Sequence, residues 1–300
     1  MNKCQLCPRN CQVDRTNTLG YCQVPSELKV ARAALHMWEE PCISGTHGSG
    51  TIFFSGCSLG CVFCQNNEIS RGKAGAVISS KRLQEICMEL KDQGAENINL
   101  VTPMHYARQI CEAIEPIKEE LGIPIVCNTG GYDLPEAICT MGRIADCYLP
   151  DYKFADESLA KQFCHASDYP DIVHNAIKAM ILQTGKPKLN EQGILQSGVL
   201  VRHLIIPGCR KDSMRILDIL NNDFGTDNIL ISLMSQYTPQ PNASGAPTRR
   251  ITEFEYHTVV EYALKLGFKG YMQDRSSASH VFTPAFDLTG VYPSSSIQKN

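Results

Sequence analysis

Gly56-Cys57-Ser58-Leu59-Gly60-Cys61-Val62-Phe63-Cys64-Gln65-Asn66 places three cysteines at Cys-x3-Cys-x2-Cys spacing, directly after the apolar run Thr51-Ile52-Phe53-Phe54. Three thiolates packed this closely can wrap one face of an iron–sulfur cube and leave the fourth iron without a protein ligand. Most electron-transfer clusters are closed by four cysteines. A cube closed by three can accept a substrate or cofactor at its open metal, so the spacing points to chemistry as well as electron transfer. Free cysteines are often small buried hydrophobes, and this chain has 15 of them in 300 residues. Random scatter would still produce this spacing only roughly 0.04 times per chain. The metal reading wins.

Composition narrows the remaining classes. A chain of 300 residues buries a full core without disulfide staples. With 28 basic and 31 acidic residues the formal net charge is −3, which gives no electrostatic footprint for nucleic acid or an anionic membrane surface. No apolar run approaches the ~20 residues needed to span a bilayer. The start Met1-Asn2-Lys3-Cys4 lacks the apolar region of a signal peptide. The expected compartment is therefore the reducing cytoplasm, where cysteines stay thiols, and the odd cysteine count argues against a closed disulfide framework. Cys87, Cys111, Cys139 and Cys164 fall in segments of helical pattern and read as core fillers.

After residue 50, short apolar runs alternate with amphipathic helices. Strands are expected at Thr51–Phe54, 97–103, 123–128, 145–151, 199–206 and 228–234. Helices are expected near 80–93, 105–121, 134–141, 156–164, 169–184, 213–221 and 252–266, with a short last strand at 268–273. Gly185–Gly198 and 235–250 read as loops, the first with hairpin character. Strand–helix alternation with short turns means parallel strands joined by right-handed crossovers. Six such units fall short of the eight of a closed barrel, so the expected fold is α/β, an open, partial (β/α)6 TIM-like barrel. Chemistry in such barrels sits at the C-terminal strand ends. The expected division is a Cys-rich N-terminal segment at 1–44, the barrel at 45–275 and a C-terminal tail at 276–300.

The cysteine run and the strand ends that follow it resemble the radical S-adenosylmethionine (SAM) enzymes over about residues 45–275. Within them the chain is similar to the pyruvate formate-lyase activating enzyme group, especially its relatives with an extra cysteine-rich N-terminus. The resemblance implies that Cys57, Cys61 and Cys64 bind three irons of a 4Fe–4S cluster, and that the amino and carboxylate groups of SAM chelate the fourth. Electron transfer from the cluster, itself reduced by a flavodoxin- or ferredoxin-type donor, would split SAM to a 5′-deoxyadenosyl radical that abstracts hydrogen. The implied partner is a protein or peptide substrate, with a glycyl radical enzyme foremost. Modification of another residue in a peptide, or a non-catalytic iron–sulfur or zinc protein, are the alternatives.

The resemblance also assigns contacts to SAM. Phe63 matches the aromatic position whose neighbourhood holds the adenine. Asp151-Tyr152-Lys153 matches an Asp-x-Lys element that pairs a carboxylate with the SAM ammonium and an ammonium with its carboxylate. Arg202 matches an arginine near the SAM carboxylate, and an arginine in an apolar strand is costly unless paired. His203 points to the opposite face by strand alternation and reads as structural. Asn128 and Thr129 sit where the activases place ribose-binding groups. One departure stands out. The usual Gly-Gly-Glu after the second strand is replaced by Val101-Thr102-Pro103-Met104, leaving Thr102 as the contact to the SAM ammonium and no carboxylate there.

Cys4-x2-Cys7-x3-Cys11-x10-Cys22 supplies four further thiols near the start of the chain. Four soft ligands suit structural zinc or a second iron–sulfur cluster, and a metal would fold a segment too short for its own core. Free thiols, a substrate grip or a redox relay remain open. Glu39-Glu40-Pro41 and Cys42 read as a linker, with lining of the cavity as the alternative. Gln236-Tyr237 ends the sixth strand, where Met234 packs either on adenine or in the core. Asp274-Arg275 with the tail from Ser276 reads as surface or disordered, with a place over the open side of the barrel as the alternative for the tail.

Overall fold

The computed structural model describes residues 3–239, 245–273 and 284–293. Among the described residues ten strands form one sheet: β1 (Lys29–His36), β2 (Ser49–Phe54), β3 (Ala76–Val77), β4 (Ile98–Val101), β5 (Ile125–Thr129), β6 (Cys147–Pro150), β7 (Lys188–Leu189), β8 (Leu195–Leu204), β9 (Leu230–Met234) and β10 (Gly270–Met272). The order is β10-β9-β8-β6-β5-β4-β2-β1-β3, with β7 folded back on β8. From β2 to β10 each neighbouring pair on this path is parallel. Seven of these strands are those read from the sequence, the short β10 included, arranged side by side in chain order, and the sheet does not close among the described residues. It is a partial barrel, as expected.

The helices are α1 (Pro41–Ser44), α2 (Asn67–Ser70), α3 (Ser80–Asp92), α4 (Ala107–Ile114), α5 (Lys118–Leu121), α6 (Pro135–Met141), α7 (Glu157–Cys164), α8 (Tyr169–Thr184), α9 (Arg210–Asp223) and α10 (Glu253–Leu266). Their ends are written in local chemistry. Ser79 caps α3 by accepting from the Arg82 amide at 3.1 Å. Thr252 and Glu255 form a reciprocal capping box at α10. The single helix expected over 105–121 is instead a tight turn, α4, a second tight turn at Glu115–Ile117 and α5. Pro116 lacks the amide that a continuous helix needs there.

Strand alternation separates two layers. Tyr148 on β6 faces outward, where its hydroxyl donates to the Ile138 carbonyl at 3.2 Å. Cys147 and Leu149 face inward and pack with Val126, Leu195 and Leu200. The floor of this inner layer is made by Cys42 and Ile43 of α1. The segment read as a linker therefore threads into the barrel, because its apolar residues fill the narrow end of the inner layer.

Two further expectations change. β1 and β3 extend the sheet antiparallel to β2, although no strand was read there. Residues 284–293, assigned to a surface tail, pack along β1. The Leu288 amide donates to the Ala31 carbonyl at 3.1 Å, and the Ala33 amide to the Thr289 carbonyl at 2.9 Å. Asp287 pairs with Arg32 at 3.0 Å. The exposed edge of β1 is thereby satisfied. Asp274, Arg275 and Ser276 lie outside the described residues. No described helix is long and apolar enough to cross a membrane.

Candidate active site

The loop between β2 and α2 carries Cys57, Cys61 and Cys64 at the C-terminal end of the barrel. Its backbone is tied at several points: the Gly56 amide donates to the Ile69 carbonyl at 2.7 Å, and the Val62 amide to the Phe163 carbonyl at 2.9 Å. The Leu59 amide points at Cys57 Sγ, 3.4 Å away. Burial pushes the Cys57 thiol up to about 12, with Cys61 and Cys64 adding to the shift. Cys61 is also held well above its ordinary value, first by its contact with Cys164 and then by burial. Burial raises Cys64 in the same direction.

Three partly buried thiols that resist ionisation suit a metal centre, which replaces their protons and supplies the missing positive charge. Among the described residues no three His, Cys, Asp or Glu side chains are drawn together as ligands of a single ion. A cube asks for something wider, since it gives each thiolate its own iron. The donor set fits a cluster of that kind.

Cys61 and Cys64 line a cavity of about 240 Å³ that also takes in Phe63, Asn128, Asp151, Lys153, Arg202, Met234 and Gln236. Asp151, just past β6, lies between two cations. Arg202 on β8 donates from Nη2 at 2.9 Å and Lys153 Nζ lies 2.5 Å away. Arg202 also donates to Asn128 Oδ1 at 2.6 Å. Burial alone would raise the Asp151 carboxyl, but Arg202 and then Lys153 outweigh it and hold it below its ordinary value. Burial likewise works against the Lys153 charge, yet Asp151 followed by Cys61 and Cys164 keeps it firmly protonated.

Most of the residues expected to meet SAM converge here. Phe63, Asn128, Asp151, Lys153 and Arg202 all reach the cavity. The Phe63 ring packs against Phe154, Phe163 and Tyr237 at centroid distances of 6.1–6.4 Å. Thr102 is not on the cavity wall. It takes a left-handed backbone, φ 57°, and its amide donates to the Asn128 carbonyl at 2.8 Å. Thr129 instead bonds Asp133 through its hydroxyl. His203 is structural, as strand alternation implied: Tyr152 O lies 2.6 Å from Nδ1 and Ser213 Oγ 2.8 Å from Nε2.

Glu39, for which the sequence favoured a linker over the cavity wall, lines the cavity and stands 3.5 Å from Arg202. Burial raises the carboxyls of Glu39 and Glu40 while Arg202 opposes the rise. His36, Trp38 and Phe53 form an aromatic flank of the same cavity. The acidic pair directly before Pro41 was the available signal, since two carboxylates beside a buried apolar turn need cations nearby. Cys164 fills the core as read, and its sulfur also lies 3.2 Å from Cys61 Sγ. Cys139 departs from the core-filler reading, being exposed.

The N-terminal cysteines lie in a stretch without helix or strand. Cys7 and Cys22 are buried, and Cys4 and Cys11 partly so. Gly20 leaves room for Cys11 Sγ, which a Cβ there would meet at 2.8 Å. Burial raises the Cys7 thiol to about 11, with Cys22, Cys4 and Cys11 each adding to it. The four thiols thus share one neighbourhood. Arg9, between Cys7 and Cys11, reaches from this module to the cysteine loop. It donates to the Ser58 carbonyl at 2.7 Å and the His165 carbonyl at 2.6 Å, and its guanidinium lies 4.0 Å from the Tyr21 ring centroid.

Residues 51–186 match the model of the radical SAM superfamily. That stretch, just under half of the chain, is similar to the radical SAM superfamily. The superfamily is one of enzymes, and similarity to it implies a 4Fe–4S cluster and SAM. An uncharacterized protein of Methanocaldococcus jannaschii is 28% identical over 276 residues, covering 87% of this chain and 74% of the relative. Among solved structures, SuiB of Streptococcus suis bound to its precursor peptide SuiA aligns with TM-score 0.52 and 12% identity, over 73% of this chain and 46% of SuiB. SuiB bound to S-adenosylmethionine aligns with TM-score 0.51 and 13% identity, over 73% and 48%. The chain spans about half the length of SuiB, and at this identity the likeness is one of fold.

Proposed function

We propose that Cys57, Cys61 and Cys64 hold a 4Fe–4S cluster, that the adjoining cavity takes SAM, and that the enzyme abstracts hydrogen from a protein or peptide. Bound there, cluster and SAM supply a 5′-deoxyadenosyl radical as the hydrogen acceptor. One observation carries the reading: Asp151, Lys153 and Arg202 share a single cavity with Cys61 and Cys64. Lys153 offers a cation to the SAM carboxylate, Asp151 a carboxylate to its ammonium, and Arg202 holds Asp151 in place. Phe63 offers the adenine an apolar wall beside Met234.

The activase resemblance favours a glycyl radical enzyme as the substrate, with a flavodoxin- or ferredoxin-type reductant and the cytoplasm as the compartment such oxygen-sensitive chemistry needs. The N-terminal thiols of Cys4, Cys7, Cys11 and Cys22 take a second metal, zinc or iron–sulfur. Anaerobic reconstitution, iron, sulfide and zinc counting, and assay of 5′-deoxyadenosine after reduction test the whole scheme. A deuterated candidate partner that passes label into 5′-deoxyadenosine identifies the substrate. Label from a residue other than glycine replaces the activase reading with peptide modification. Metal binding without SAM cleavage leaves a non-catalytic metalloprotein and ends the proposal.

A further inference from the structure

We propose that Cys164 donates its thiol hydrogen to the sulfur of Cys61 and so raises the reduction potential of the cluster; this rests on the cluster reading given above. The two sulfurs are 3.2 Å apart, and in the free protein either could be the donor. Ligation decides between them. A metal-bound Cys61 is a thiolate, so the remaining hydrogen belongs to Cys164. Hydrogen bonds to cluster sulfurs stabilise the extra negative charge of the reduced state and tune its potential.

The contact is built. Cys164 is fully buried at the last turn of α7. That turn is tied to the cysteine loop on both sides: the Val62 amide donates to the Phe163 carbonyl, and Arg9 bridges the Ser58 carbonyl to those of Cys164 and His165. His165 closes the helix in a left-handed conformation, φ 55°. Cys164 therefore cannot swing away from Cys61 without breaking the clamp. Its role is positioning and electrostatic tuning, with no direct contact to substrate.

The test is a redox titration of the reconstituted, SAM-free protein followed by electron paramagnetic resonance, with iron counted per chain. Cys164→Ala is expected to keep the full iron content and to shift the potential to more negative values. Cys164→Ser, which restores a donor, is expected to move it back toward wild type. Cys164→Val fills the pocket without a donor and serves the same purpose should the alanine variant fold poorly. An unchanged potential in both donor-less variants overturns the inference alone. Loss of iron in them also overturns it, because Cys164 would then be a ligand. Wild-type protein that takes up no cluster overturns this inference and the function together.

Discussion

Arg202 Nε donates to Asp151 Oδ1 at 3.0 Å, across the boundary between β8 and the end of β6. The two residues are also β-bridge partners, so the ion pair is fixed by the sheet's own pairing as well as by side-chain rotamers. Lys153 approaches the other carboxylate oxygen. Removing the charge of Asp151 while keeping its shape leaves two largely buried cations without their shared partner. Asp151→Asn is expected to lower stability by somewhat less than the ~3–5 kcal/mol typical of a broken buried pair, because Glu39 still faces Arg202. Denaturant unfolding measures this. SAM affinity is expected to fall by about tenfold or more, a loss of ~1.4 kcal/mol, read by equilibrium binding to reconstituted protein. An unaltered affinity would remove Asp151 from the SAM site.

Alanine at Cys57, Cys61 or Cys64 is expected to abolish the cluster, seen as loss of iron and of visible absorption. Cys139→Ala provides the control. Its thiol is exposed on α6, and both measurements should match the parent protein.

Asp133 reports on pH. Burial raises its carboxyl from 3.8 to about 7, opposed by the Thr129 hydroxyl. Between those values the folded chain keeps a proton that the unfolded chain has lost, so stability falls as pH rises through this window and levels off above it. Asp133→Asn is expected to remove this component. Thermal unfolding of both proteins from pH 4 to pH 8 checks it; identical slopes would contradict the assignment.

Arg9 ties the N-terminal module to the cysteine loop through a planar fork that lysine cannot reproduce. Arg9→Lys is expected to speed amide exchange across residues 57–64 while leaving the exchange of β5 and β6 as it was. Hydrogen-exchange mass spectrometry resolves the two regions. Equal protection in the loop would mean that its other backbone bonds suffice.

Local pattern carried most of the fold. Five of the parallel strands are short, wholly or mostly buried apolar runs, and α3, α7 and α10 carry their N-caps within a few residues of their start. Where reading failed, a competing local signal was responsible. Pro116 broke a helix whose apolar periodicity ran through it. β1 was hidden behind the cysteine-rich start, and the packed part of the tail behind its polar composition.

The chain by itself determined the three-thiol loop, the parallel alternation and the polar residues at the strand ends, because those depend on neighbours in sequence and on the period of a strand or helix. Tertiary structure decided which distant groups meet: Glu39 with Arg202, 163 residues apart, Cys61 with Cys164, 103 apart, and Arg9 with His165, 156 apart. Such encounters follow from the order of strands in the sheet and from how α1 and α7 seat against it. No spacing along the backbone records them, since their energies arise only once burial has removed the water between.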